Sequence, residues 1–103
     1  MKGAIASVEI FAFAPGDAAD VSSPRPRRLS LVIGVPERAQ SDGLWHCRVA
    51  LADLHRPRTL AGRDSVEALC LAVECARGWL GALRSEGFTL FRDRAGAEPF
   101  AIP

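Results

Sequence analysis

The segment from Asp64 to Gly87 constrains this chain most, because it carries a sustained helical period. Apolar residues recur at Val66, Leu69, Val73, Ala76, Leu80 and Leu83, a stripe widened by Ala72 and Trp79. Asp64 offers a side-chain acceptor at the N-cap, and Glu67 three residues later completes a capping-box-like start, with Asp in place of Ser or Thr. Gly87 follows Arg84-Ser85-Glu86, where a residue just past a helix C-terminus belongs. The spacing predicts one helix over 65–86. A single rod of this length covers one face of a sheet, so the remaining chain is expected to form a layer sealed on one side.

The remaining chain reads as strands. Residues 4–13 alternate Ile5, Ser7, Glu9, Phe11 and Phe13 against Ala4, Ala6, Val8, Ile10 and Ala12, until Pro15-Gly16 stops them. Residues 14–27 form a long polar connection whose Pro24 and Pro26 exclude a central strand. A second strand over 28–35 puts Leu29, Leu31, Ile33 and Val35 on one face. A third, over 44–51, does the same with Trp45, Cys47, Val49 and Leu51. A short fourth covers 58–61, and a fifth, 88–93, leads through a turn at Ala95-Gly96 into a short extended tail. The expectation is an α+β, two-layer fold: an antiparallel meander of four to five strands with one long helix on one face, in the order β-β-β-β-α-β. Alternating directions allow the last strand to pair with the first, giving spatial order 5-1-2-3-4. A terminal hairpin against the helix end is equally buildable.

With 103 residues, 49% apolar and 24% charged, the chain suits a single domain over 1–103 with a core that needs no staples. A net charge of +1 supplies no field to attract nucleic acid or an anionic membrane. No uncharged apolar run reaches membrane-spanning length, and Glu9 interrupts the N-terminal stretch that loosely imitates a signal peptide. Three cysteines, an odd number without a paired framework, fit reduced thiols and a cytoplasmic location. Arginine supplies nearly all the basic charge, which with abundant Ala, Gly and Pro suggests a GC-rich bacterial genome.

Reactive chemistry finds little support. His46 and Cys47 are neighbours on a strand and point to opposite faces, while Cys70 and Cys75 stand about 140° apart around a helix, so neither pair shares a metal. No metal or other cofactor is expected. Asp53-Leu54-His55 puts a carboxylate near an imidazole but no nucleophile beside it, and reads more simply as a turn in which Asp53 bonds nearby backbone amides. Cys47 shares its face with Trp45 and Val49 and reads as a small buried residue. Gly78 and Gly81 fall inside the helix and make no phosphate loop. No catalytic residue is assigned, and an enzyme is not expected.

Two binding readings remain. Arg25, Arg27 and Arg28, the turn bearing His55, Arg56 and Arg58, and the helix C-terminus are expected at one end, a candidate site for an anion or small ligand. The sheet face away from the helix would show Val32, Leu44, His46, Arg48 and Ala50. The outer side of the helix would show Ala68, Leu71, Cys75, Gly78 and Ala82. Val32, Leu44, His46, Arg48, Leu71 and Gly78 are the candidate interface residues, for a second protein or a homodimer.

The run Gly62-Arg63-Asp64-Ser65-Val66-Glu67-Ala68-Leu69-Cys70-Leu71-Ala72, with Trp45 and Cys47 before it and Gly87 after, resembles a group of small uncharacterised bacterial domains of unknown function. These carry a Trp-x-Cys strand and a Gly-x-Asp-Ser-x-x-Ala-Leu helix opening. Glutamine stands in many of them where Glu67 is here, and either side chain closes a capping box. The resemblance spans about residues 44 to 91. Some comparable small bacterial proteins are regarded as toxin-neutralising immunity partners, so it implies binding rather than catalysis and carries no catalytic residue across.

Overall fold

A computed structural model describes residues 3–15 and 26–102. Six strands and one helix follow in the order β1 (Ala4–Phe13), β2 (Arg27–Gly34), β3 (Glu37–Arg38), β4 (Trp45–Leu51), β5 (His55–Gly62), α1 (Ser65–Ser85) and β6 (Thr89–Phe91). The class is the expected α+β sandwich of one antiparallel sheet and one helix. Arg25, Pro24 and most of the polar connection lie outside the described residues.

β1 pairs with β2 on one side and, at Phe11–Phe13, with β6 on the other. β4 pairs with β2 and β3 along one edge and with β5 along the other. The register explains the additional strand: Ile33 faces Val49 and Glu37 faces His46, so β2 and β3 are one line interrupted at Val35-Pro36. Proline donates no ladder hydrogen bond, and the line breaks where it stands. Val35, expected on the apolar face, is consequently 43% exposed. With β2 and β3 taken together, the spatial order is β6-β1-β2/β3-β4-β5, as the alternating directions allowed. β5 is twice the expected length, because its pairing with β4 resumes beyond an irregularity at Pro57 and reaches His55.

Both ends of α1 are held by the residues that announced them. The Asp64 carboxylate accepts the Glu67 N–H at 2.7 Å. Glu67 reaches one residue further back than a standard capping box and accepts the Arg63 backbone N–H at 2.9 Å. At the far end Phe88 N–H donates to Leu83 C=O and Gly87 N–H to Arg84 C=O, a Schellman closure with Gly87 at φ +97°. A Cβ there would also meet the Pro15 ring at 2.8 Å, so two constraints select glycine.

The helix face buried against the sheet is rotated from the expected one. Ala68, Ala72, Ala76, Leu80 and Leu83 are buried, whereas Val66 is 69% exposed and Leu69 and Val73 are half-buried. Closeness is the reason. Gly62, buried at the end of β5, passes so near the first turn of α1 that a Cβ on it would lie 2.5 Å from the Ala68 nitrogen. Valine or leucine has no room beneath the helix there, and alanine does. Ala68 thus belongs to the core, not to the outer side. Cys75 packs against the core as well, leaving Leu71, Gly78 and Ala82 exposed.

Above the sheet, these residues meet Ile10 and Ala12 of β1, Leu29, Leu31 and Ile33 of β2, and Cys47, Val49 and Leu51 of β4. Leu90 and Phe100 complete the layer. Phe100 N–H donates to Leu90 C=O, Pro99 bridges to Phe91, and the Arg84 guanidinium donates to Phe100 C=O at 2.6 Å. The expected extended tail is therefore a wall of the core.

Candidate functional site

The expected convergence of charged segments at one end takes the form of a cleft. Its volume is about 260 Å³, and Ala12, Leu29, Leu54, Leu83 and Phe88 line it together with Arg27, His55, Trp79, Ala82 and Glu86. Each wall has a local cause. Arg27 opens β2, paired with Ala12 of β1. Trp79, Ala82, Leu83 and Glu86 recur at helical spacing along the last turns of α1, with Glu86 as its C-cap. His55 opens β5 after a tight turn in which Leu54 N–H donates to Leu51 C=O and Asp53 takes the left-handed conformation, φ +72°.

That turn fixes two walls together. The Asp53 backbone carbonyl accepts from the Arg27 guanidinium at 2.8 Å. The His55 ring lies flat on the Trp79 indole, with centroids 4.7 Å apart and planes 5° from parallel. Among the described residues no hydrogen bond joins Asp53 to His55, so the sequence pattern of a base and its orienting carboxylate is not assembled. Neither does Asp53 cap local amides as expected; its backbone makes the turn.

The other described arginines of that proposal disperse. Arg28 emerges on the opposite sheet face, 3.7 Å from Glu9. Arg56 and Arg58 lie exposed along β5 and do not line the cleft. Of the arginines proposed for an anion site, the cleft takes Arg27. Trp79 and Glu86 were not expected in it, because a helical stripe read for apolarity alone assigns Trp79 to the core and passes over Glu86.

The candidate interface residues lie on two separate surfaces. Register puts Val32 opposite Ala50, Arg48 opposite Thr59, and His46 between Glu37 and Ala61, all on the sheet face away from α1. The Asp42 carboxylate holds His46 there, one oxygen 2.9 Å from Nε2 and the other accepting the Leu44 N–H at 2.8 Å. These bonds, the backbone one foremost, hold the Asp42 carboxyl below its usual range. Leu44 is half-buried in the turn ahead of β4. Leu71, 39% exposed, and Gly78 occupy the outer side of α1, one full layer away.

At the β6 end, the open face is capped. Phe11 and Phe13 are buried there, Phe13 edge-on to Phe91 at 5.3 Å and Phe11 beneath the Arg94 guanidinium at 5.2 Å. Asp93 organises that cap, its carboxylate accepting from the Ala97 and Glu98 N–H groups. Among the described residues, nothing covers the part over β2, β4 and β5. Cys47 faces the other way, buried, its thiol donating to Gly34 C=O at 3.3 Å, and burial pushes that thiol up in pKa. A raised pKa keeps it protonated and unreactive.

No protein-family model matches this chain, and neither does any curated protein or solved structure.

Proposed function

We propose that this chain is a non-enzymatic protein-interaction module, immunity-like in acting by covering a partner's surface. The observation that carries this reading is the half-covered sheet. α1 and the C-terminal segment seal one face, and the Phe11–Phe91 cap takes one end of the other. The remaining face is left with Val32, Ala50 and Ala61 among His46, Arg48 and Thr59. Mixed apolar and polar surface around an arginine is typical of a specific interface. The side chains there are partly ordered in advance by the Asp42–His46 contact, which lowers the cost of docking. The small bacterial domains that the 44–91 segment resembles imply the same kind of role.

The test is affinity capture from the source organism with the unaltered chain, an Arg48→Glu variant and a Leu71→Ala variant. A partner retained by the unaltered chain and by Leu71→Ala, but lost with Arg48→Glu, supports docking through the sheet face. A partner lost with Leu71→Ala and kept with Arg48→Glu moves the interface to the helix. Capture of nothing, from a protein monomeric at all concentrations, overturns the reading.

A further inference from the structure

The cleft at the end of α1 has a charge pattern of its own, unrelated to the open sheet face. Arg27 and Glu86 both line it. Opposite charges bordering so small a space would ordinarily pair, yet among the described residues neither takes part in an ion pair. Arg27 spends one N–H on the Asp53 carbonyl, which holds the guanidinium in place and leaves its other donors available. Glu86 caps the C-terminal end of α1, where the helix dipole adds negative potential and favours a cation. The same cleft has an apolar lining of half-buried Leu54 and Phe88 over the buried Leu29 and Leu83, with the stacked His55–Trp79 pair as a wall.

We propose that this cleft binds a small zwitterion with an apolar tail, of which a free α-amino acid is the simplest case. The carboxylate meets the Arg27 guanidinium, the ammonium faces Glu86 and the helix end, and the tail lies against Leu54, Trp79 and Phe88. Size agrees. A space of about 260 Å³ falls just under the range for drug-sized ligands, roughly 300–1,000 Å³, and so suits a small metabolite. A simple anion would satisfy Arg27 but meet repulsion from Glu86. A simple cation would meet the reverse. The proposal stands whether or not the sheet face docks a protein.

The experiment is an NMR titration of the ¹⁵N-labelled chain, following the Trp79 indole N–H and the amides of His55 and Phe88. Leucine, phenylalanine and tryptophan are each compared with the amine lacking the carboxylate and the acid lacking the ammonium. Saturable shifts with at least one amino acid are expected, weakened about tenfold or more for both of its truncated analogues, as loss of one charge-assisted contact predicts. Glu86→Gln should weaken the amino acid while sparing the acid analogue, and Arg27→Gln the converse for the amine. The analogues act on the unaltered protein, so the result does not depend on the variants folding. No saturable shift with any amino acid at millimolar concentration overturns the proposal. So does an acid analogue that binds as tightly as its parent, which would leave a plain anion site.

Discussion

Gly62 and Ala68 set the spacing between the two layers. A methyl group at position 62 would press on the backbone nitrogen of Ala68, which cannot swing aside as a side-chain tip can. Gly62→Ala should therefore cost about 1–3 kcal/mol, the usual range for overpacking, and chemical denaturation measures it. The apolar positions of α1 are graded by the same contact. Leu80, 1% exposed, should cost about 2–5 kcal/mol on truncation to alanine. Leu69, half-buried, should cost less, and Leu71→Ala should fall within about 0.5 kcal/mol, as surface changes do. The original periodicity put Leu69 and Val66 in the core, since it measures where apolar residues cluster around a helix. It is blind to how near the helix comes to its sheet. Gly62 was visible as punctuation, but its reason for being glycine depends on a residue six positions away in another element.

The strands and helix were legible where local chemistry fixes them. β1 has its expected bounds, although its burial runs from exposed at Ala4–Ser7 to buried on both faces at Ile10–Phe13, and α1 begins and ends at its Asp64 and Gly87 signals. Elements that depend on long-range pairing were not. The C-terminal segment shows a weak alternation of Phe100 and Ile102 beside Pro99, and no local rule distinguishes that from a loose tail. It takes its order from Leu90, Arg84 and Arg92, whose guanidinium stands 4.9 Å over the Phe100 ring. Phe100→Ala should cost about 3–5 kcal/mol in a denaturant melt, a loss that an unattached tail would not show. In the cleft, Arg27 and His55 were anticipated as one end of the fold, whereas Trp79 and Glu86 join them through the depth and phase of the helix. β5 shows a further element-scale device. As the outermost described strand beside α1, it carries Arg56, Pro57 and Arg58 at its irregularity, features that discourage pairing with another chain. Replacing all three by threonine should raise the aggregation rate measured by light scattering.

Among the described residues, three carboxylates, two in loops and one in the first turn of α1, are held below their usual pKa range. Backbone N–H donors lower Asp93 and, together with His46, Asp42; the Arg63 guanidinium and N–H lower Glu67. Because the folded values lie below the unfolded ones, each group adds stability above the ordinary carboxylate range. That contribution fades as pH falls through the depressed folded values. Melting temperature should hold steady from neutral pH down to about 5, then drop below about 4, and Asp93→Asn should flatten part of that drop. The closing role of Phe100 has one more consequence, for a chain being made rather than one at equilibrium. A ribosome delivers the β4–β5 hairpin and the rod that packs on it well before residues 88–102 emerge. Until then Ile10 and Leu29 wait without their last neighbours. The nascent protein should stay protease-sensitive until residues 88–102 have emerged and become resistant once they pack.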